Sequence, residues 1–443
     1  MKKRLAAMAM AVCTVMTTLA GCGGSSGAES TAAGSTAAGT SEAQQSTDAS
    51  GSSSEKEPVT LEFWTLALSP TFDDYINGVI EDFESQYDWI TIDWEDVPRE
   101  GYEEKLITRI ASDNAPDVVN IWTIYLMGLA GNGALVNLYE EATEEQLSIY
   151  QENLFSSISM NGGLYGFPWY VTPPVSTYNT ELFEKAGLDH VPADYNEMME
   201  MAPIMKEKTG AYLYVPNEMC QVLYANGIEL ISEDKKSAVF NTPEAAELLT
   251  KMQQGVREGW LPKQDWNDWP NMITLYSQEK LALIGMGAQT VDRIISEAPN
   301  LVEKTDVTKP ILGTAGIAQG ALQSLSIPTA SKHHEEAILF ANFLSNDANQ
   351  LEFCHQDSIM PTTKEAAKDP YFTSDTETLQ GRARKEAAEA VSISFDLGLG
   401  VANESEVVET IRGMYESIMQ ADRDVQEVLD ETEKKVNELI NEE

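Results

Sequence analysis

Between Val59 and Trp122 the chain alternates three short β-rich runs with two stretches of helical periodicity, and this alternation restricts the fold more than any other feature. The runs are Val59-Thr60-Leu61-Glu62-Phe63-Trp64, Ile90-Thr91-Ile92-Asp93-Trp94 and Asp117-Val118-Val119-Asn120-Ile121-Trp122. Between the first two, Phe72, Ile76, Val79, Ile80 and Phe83 share one face of a helix, with Ser69-Pro70 read as its N-cap and first-turn proline. A second helix is expected near Tyr102 to Ile110. Successive strands separated by helices must return by crossovers, which gives a parallel sheet with helices on its faces. The expected class is α/β.

In such sheets ligands sit outside the carboxyl ends of the strands. Two of those ends release Trp64-Thr65-Leu66 and Trp122-Thr123-Ile124-Tyr125. Aromatic faces offer wide apolar contact without a charge and suit the CH-rich face of a sugar ring. Packing of both indoles into the core between sheet and helix is the alternative.

The N-terminus constrains location. Lys2, Lys3 and Arg4 precede an apolar run from Leu5 to Ala20, and Leu19-Ala20-Gly21-Cys22 follows. At about 16 residues the run is short for a bilayer span, which needs about 20, so it reads as a removable leader. Small residues at Ala20 and Gly21 admit a peptidase, and the Cys22 thiol can form a thioether to a diacylglycerol. An ordinary cleavable signal with an incidental Cys22 is the competing reading. From Gly23 to about Pro58 the chain is almost entirely Ser, Thr, Ala, Gly, Gln and Glu with no aromatic or large aliphatic residue, and it cannot build a core. As a flexible tether of about 35 residues it would span about 30 Å root-mean-square.

Composition narrows the partners. The chain has 443 residues and a formal net charge of -42; removal of residues 1–21, which carry three cations and no acid, takes it to -45. Such a body repels nucleic acid and anionic headgroups, so no nucleic-acid partner is expected. Roughly 385 residues follow the tether, more than one core usually holds, and two lobes are expected. Cys220 and Cys354 do not make a disulfide framework, although a single bridge between them remains open. None of the four histidines has metal-ligand spacing: His334-Glu335-Glu336 lacks the second histidine of a zincin helix. No metal or cofactor is expected.

Further along, Asp194 with Glu197 forms a capping-box pattern before a helix that aligns Met198, Ala202 and Met205. Thr242-Pro243-Glu244 opens another helix, with Gly259 past its end. Tyr212 to Val215 reads as a strand. Val425, Val428, Leu429, Val436, Leu439 and Ile440 form the apolar stripe of a C-terminal helix, read as packing.

Several blocks, in order, carry a resemblance. They are the strand ending Phe63-Trp64, Ala111-Ser112-Asp113-Asn114-Ala115-Pro116-Asp117-Val118-Val119, Leu129 to Leu138, Gly163-Leu164-Tyr165-Gly166-Phe167-Pro168, and Tyr178-Asn179-Thr180-Glu181-Leu182-Phe183-Glu184-Lys185-Ala186-Gly187. Glu279-Lys280-Leu281-Ala282-Leu283 with its glycine turn, Ser326-Ile327-Pro328 and Met360-Pro361-Thr362 follow. From Val59 to Glu443 the chain resembles the family 1 extracellular solute-binding proteins of ABC importers, relatives of maltose-binding protein.

The resemblance implies a two-lobed periplasmic-binding-protein-like fold with an interlobe cleft and three chain crossings, closing on a solute by a hinge. Lobe 1 would comprise residues 58–170 and 311–355, and lobe 2 residues 174–308 and 361–443. Crossings fall at Val171-Thr172-Pro173, near Lys309-Pro310 and near Ile359-Met360-Pro361, where proline punctuates elements. The ligand-binding candidates are Ser69, Trp122, Tyr125, Tyr170, Thr172, Glu218, Trp269 and Gln289. Strand alternation puts Tyr170 and Thr172 on one face, and the family's matching segment places a ligand contact at Thr172. Glu218 follows the Tyr212 to Val215 run, where the family offers polar and aromatic contacts. Trp260, Trp266 and Trp269 crowd a Pro-containing loop, and Trp269 is chosen from them.

Two departures limit the substrate. Gly287-Ala288-Gln289 stands where several sugar binders carry a tryptophan, and Thr123, Ile124 and Tyr125 replace the charged pair that clamps hydroxyls in maltose-binding protein. The implied function is capture of a mono- or oligosaccharide by a lipid-anchored, monomeric binding protein at the outer face of a cell membrane, for delivery to ABC permease subunits. A surface sensor or adhesin, or a binder of a non-sugar solute, could use the same fold. A secreted glycosidase is the least expected: 71 carboxylates make chance pairs inevitable, and from Val59 onward there is no Gly-x-Ser-x-Gly, P-loop or Gly-x-Gly-x-x-Gly. No catalytic residue is assigned.

Overall fold

The computed structural model describes residues 56–216, 218–263, 269–401 and 403–442. The leader, Cys22, the tether as far as Glu55 and Trp266 lie outside the described residues.

The first three strands form as their periodicity requires. β1 (Val59–Leu66) pairs in parallel with β2 (Ile90–Val97) and with β3 (Val118–Trp122). Helix α1 (Asp73–Gln86) buries Ile76, Val79, Ile80 and Phe83 against this sheet. Its start corrects the expected cap, because Ser69 is tied into the preceding loop. The Ser69 amide N–H donates to Asp96 Oδ2 at 3.2 Å and its hydroxyl donates to the Asp73 carboxylate, while Phe72 takes the N-cap position. Helices α2 (Tyr102–Ala111) and α3 (Thr123–Gly131) follow, α3 directly from the end of β3.

Two strands then change sheets. β4 (Phe167–Thr172) ends at Pro173-Pro174, and β5 (Val175–Asn179) begins the second sheet. Helix α4 (Tyr195–Thr209) is capped by Asp194, whose carboxylate accepts the N–H of Asn196 and Glu197, and Met198, Ala202 and Met205 are fully buried. The expected strand at Tyr212 to Val215 is reduced to one bridge, Tyr212 to Leu281. Pro216 has no N–H with which to extend a ladder. Helix α5 (Met219–Ala225) follows. In α6 (Pro243–Glu258) the Thr242 hydroxyl accepts the Ala245 N–H, and Gly259, with φ +83°, closes the helix in the left-handed region that glycine tolerates.

The rest completes both sheets. It comprises α7 (Trp269–Ser277), β6 (Leu283–Met286), α8 (Gln289–Glu297), β7 (Thr305–Thr308), β8 (Ala321–Ser326), α9 (His334–Leu344), α10 (Asp347–Cys354), β9 (Met360–Pro361), α11 (Leu379–Ala390), α12 (Glu404–Tyr415) and α13 (Val425–Ile440). The first sheet has the order β9-β4-β8-β3-β1-β2, with β8 antiparallel to both β3 and β4; the second has the order β6-β5-β7, antiparallel throughout. Each sheet anchors one core. Phe340 packs edge-on to Phe63 and Phe83 in the first, while Met198, Leu249, Ile411 and Leu429 belong to the second. The fold is α/β and two-lobed.

The first sheet resumes, and is left again, later in sequence than the second and third proline positions suggest. Ile311 packs in the second core, and Leu312 exchanges backbone hydrogen bonds with Ala193 and Tyr195, so the first sheet resumes only at Ala321. Pro361 lies at the edge of the first sheet, and buried Thr362 bonds to Gln350 and to the Pro168 carbonyl. Helix α11 packs on β5 and β7 of the second sheet, while its Leu379, Ala383 and Ala387 are buried with the first core. Cys220 and Cys354 are free thiols buried in different cores, which removes the bridge left open by the sequence. No described helix is long and apolar enough to cross a membrane.

Candidate functional site

The two strand-terminal tryptophans part company. Trp64 is fully buried, donates its Nε1–H to Glu62 at 2.8 Å and packs against Tyr102, so it belongs to the core. Trp122, the last residue of β3, is half-buried. Antiparallel pairing places Gln323 of β8 opposite Trp122 on one side and opposite Tyr170 of β4 on the other. Directly paired residues point to the same face of a sheet. Trp122, Gln323 and Tyr170 therefore form one rung, aromatic at both ends and amide in the middle. Asn120 Nδ2 donates to Gln323 Oε1 at 3.0 Å and fixes that amide.

Alternation along β4 sorts its side chains. Trp169 and Val171 are buried in the first core, where Trp169 stacks on Phe353 at 5.1 Å, while Tyr170 and Thr172 are only partly buried. Burial pushes the Tyr170 hydroxyl above its ordinary pKa, so it is a neutral donor and acceptor at physiological pH. Tyr125 takes a different place from the one its aromatic character suggested. It is 4% exposed, donates its hydroxyl to the Glu103 carbonyl at 2.8 Å and lies 5.6 Å from Trp122, so it backs that indole from inside lobe 1.

Lobe 2 meets the end of β4 through a glycine turn. A Cβ at Gly287 would lie 2.3 Å from Thr172 Cγ2 and 2.1 Å from Gln289 Oε1, so only glycine lets the crossing strand and the start of α8 approach this closely. Gln289 Oε1 is buried there with no hydrogen-bond partner. An unpaired buried amide oxygen costs on the order of 1–3 kcal/mol, a cost that a ligand hydroxyl would remove. Glu218, the residue before α5, holds φ at 55°, an uncommon value for a side-chain-bearing residue. Its carboxylate accepts hydrogen bonds from Arg412 Nε at 2.7 Å and Nη2 at 2.6 Å. The side chain of Trp269 lies outside the described residues. Trp260 is in the second core, with Nε1–H donating to Glu258 at 3.0 Å.

A strap from lobe 2 reaches across to lobe 1 beside Glu218. Asp396 Oδ2 accepts the Leu322 N–H at 2.9 Å, and burial raises its pKa to about 6 against the lowering effect of hydrogen bonds that include this one. A Cβ on Gly398 would lie 2.3 Å from Met127 Cγ of α3. Glu404, 1% exposed, accepts the N–H of Leu399 at 2.7 Å and of Gly400 at 2.8 Å; burial nevertheless raises its pKa to about 8. On the opposite side of the cleft, Ser358 Oγ of lobe 1 donates to Asp292 Oδ2 of α8 at 2.7 Å.

Of the sequence-derived candidates, the structure brings Trp122 and Tyr170 onto one rung and Thr172 and Gln289 onto one turn. Glu218 sits with Arg412, and Ser69 bonds to Asp96 and Asp73. Gln323, Asp396 and Arg412, which the structure brings beside these candidates, were not among them. The only signal for Gln323 was a lone amide in an apolar strand, and for Asp396 an acid ahead of Gly398 and Gly400. Among the described residues no group of three His, Cys, Asp or Glu side chains is disposed to hold a metal ion.

Residues 69–351 match the bacterial extracellular solute-binding protein family. The chain belongs to that family. It is 25% identical over 400 residues to the diacetylchitobiose binding protein DasA of Streptomyces coelicolor, covering 88% of this chain and 86% of that protein. A periplasmic-binding protein from Synechococcus sp. MITs9220, assigned to oligosaccharides, superposes with a TM-score of 0.77 at 26% identity, over 85% of this chain and 98% of that one. The cyclic α-maltosyl-1,6-maltose binding protein of Arthrobacter globiformis shares the fold, with a TM-score of 0.72 at 18% identity over 86% of this chain and 99% of that one. This member of the extracellular solute-binding family therefore has the architecture of periplasmic sugar-binding proteins, and its family and structural relatives are binding proteins.

Proposed function

We propose that this protein captures a mono- or oligosaccharide between its lobes by hinge closure and delivers it to the permease of an ABC importer. The observation that carries the reading is the Trp122–Gln323–Tyr170 rung, with the unpaired Gln289 Oε1 on the other lobe. Aromatic faces match the apolar faces of pyranose rings, and the amides match their hydroxyls. The sugar-binding relatives support the same reading. Ser69, Trp122, Tyr170, Thr172, Glu218, Trp269 and Gln289 are the proposed contacts. One jaw is built mainly from 58–170 and 311–355 and the other from 174–308 and 361–443, with the shifts at Ile311 and Pro361 noted above. The protein acts as a monomeric binder without catalysis, held at the extracytoplasmic face through a diacylglyceryl thioether on Cys22 and the tether that follows.

A thermal-shift screen of carbohydrates, peptides and polyamines, followed by tryptophan fluorescence on the hits, tests the ligand class. Carbohydrates should stabilise; stabilisation by peptides alone would sink the sugar reading. Trp122→Ala should weaken the carbohydrate hit roughly tenfold or more, and unchanged affinity would assign Trp122 to packing. Intact-mass measurement on membrane-extracted protein, before and after Cys22→Ala, checks the anchor.

A further inference from the structure

Ser358, just past the end of α10 in lobe 1, is held by two carboxylates at once. Its N–H donates to Asp357 Oδ1 at 2.6 Å, and its Oγ–H donates to Asp292 Oδ2 on α8 of lobe 2 at 2.7 Å. One carboxylate belongs to each lobe, and the two stand within one serine's reach of each other. That is at or inside the screening length of about 10 Å in 0.1 M salt, so they repel even in ordinary buffer. Both residues keep exposed surface, which lets water weaken the repulsion without abolishing it.

No cation offsets the pair. Among the described residues neither Asp292 nor Asp357 makes an ion pair, and the cations around them are engaged elsewhere. Arg293, next to Asp292 on α8, pairs with Glu297; Arg384 pairs with Asp375 and lies over Tyr371; Arg99 lies over Trp122. His355, two residues before Asp357, packs its ring against Tyr371 at 4.3 Å. Glu352 on α10 accepts a hydrogen bond from Gln356 at 3.3 Å and adds a further negative charge. The Tyr170 hydroxyl and the Cys354 thiol, both pushed up by burial, are neutral. Partial loss of hydration raises the Asp357 carboxyl above its ordinary value; the Ser358 N–H offsets part of this rise, and the charge of Asp292 adds to it.

We infer that Asp292 and Asp357 form a like-charge pair that opposes hinge closure when both are ionised and ceases to oppose it when one of them takes up a proton. This rests on the hinge closure proposed above and adds what sets its balance. The Ser358–Asp292 hydrogen bond pulls the other way, but water replaces it when the lobes part, so its net pull is small. Opening carries Asp292 away and returns both carboxyls towards the ordinary range, so closure takes up protons. Closure is therefore favoured most below the ordinary carboxylate values, and the advantage is lost as pH rises through the higher values of the closed form. A loaded protein stays closed against the same repulsion, so the pair that slows closing also hastens release.

The test is the distance between spin labels on exposed positions of the two lobes, Ser296→Cys on α8 and Ala348→Cys on α10, in the ligand-free full chain. Asp292→Asn and Asp357→Asn each keep an acceptor for Ser358 and remove one charge, and each should raise the closed population at pH 7 roughly two- to tenfold. The double variant should add nothing to either single one, because repulsion takes two charges. Wild type should close further on passing from pH 7 to pH 5 and from about 20 to about 500 mM salt, and both single variants should respond less. Asp357→Lys, which turns repulsion into attraction, should be most closed in low salt. Asp82→Asn on α1 removes an equal charge elsewhere in lobe 1 and should leave the distance unchanged. Unchanged or longer distances in both Asn variants, or equal closing by Asp82→Asn, would overturn the inference. A distance fixed at every pH and salt, and with every carbohydrate, peptide and polyamine of the thermal-shift screen, would remove hinge closure along with it. Closing on charge removal while all carbohydrates are silent would support the inference and remove only the carbohydrate reading.

Discussion

The two lobes meet along two seams of different character. Beside α3 the strap from Asp396 to Glu404 is packed like core, with Gly398 against Met127 and Glu404 closed in by Gly128, whose Cβ would come 3.4 Å from its own. Across the cleft the described contacts are mixed: Ser358 and Asp292 share a partly exposed hydrogen bond, and Ala288 and Val291 beside it are buried with the first core. Dry packing resists separation in proportion to the apolar area it hides. A surface hydrogen bond exchanges readily with water and contributes little. The difference predicts that the lobes part first at Ser358 and last at α3.

The strongest way to break the comparison is Gly398→Val. With no room for a Cβ, the strap must lift from α3, and unfolding in urea should show a loss of about 2–3 kcal/mol. A wild-type midpoint would mean that the seam is not close-packed. Next is pH. The folded protein holds the Glu404 proton up to about 8 and the Asp396 proton up to about 6, whereas the unfolded chain releases both in the ordinary carboxylate range. Folding therefore takes up protons between those limits. Their contribution is complete below the ordinary carboxylate values and is lost as pH rises, through about 6 for Asp396 and about 8 for Glu404. Each titrating group adds a slope of up to about 1.4 kcal/mol per pH unit. Melting curves should show stability falling from pH 6 to 9, and Glu404→Gln should flatten that fall; an equal fall in both proteins would place the titration elsewhere. The smallest effect belongs to the polar seam. Ser358→Ala should change stability by no more than about 0.5 kcal/mol, and any shift it makes should appear as a wider distance between labels on α8 and α10.

In both lobes local order was readable and long-range pairing was not. The parallel unit from Val59 to Trp122 follows from period alone, since its strands and helices alternate over short separations. The caps at Asp194 and Thr242 were legible because each bonds to N–H groups two or three residues away. Ser69 carried the same signal, yet Asp96, distant in sequence, takes its N–H. Tyr212 to Val215 has strand composition but no ladder, since Pro216 follows. The site was half legible for the same reason. Trp122, Tyr170 and Gln289 stand at strand ends and turns that pattern marks, whereas Gln323 becomes a site residue only when β8 inserts antiparallel between β3 and β4.

The first crossing is two residues long, Pro173 and Pro174, with a strand of a different sheet on each side. Proline fixes φ, so this link has almost no slack in length and little freedom of torsion. It behaves as a pin rather than a spring: rotation must be taken up by the residues at its ends, Thr172 and Val175. Thr172 already touches the turn that carries Gln289. A solute that draws on Gln289 therefore applies torque within one residue of the axle, and grip and swing become one movement.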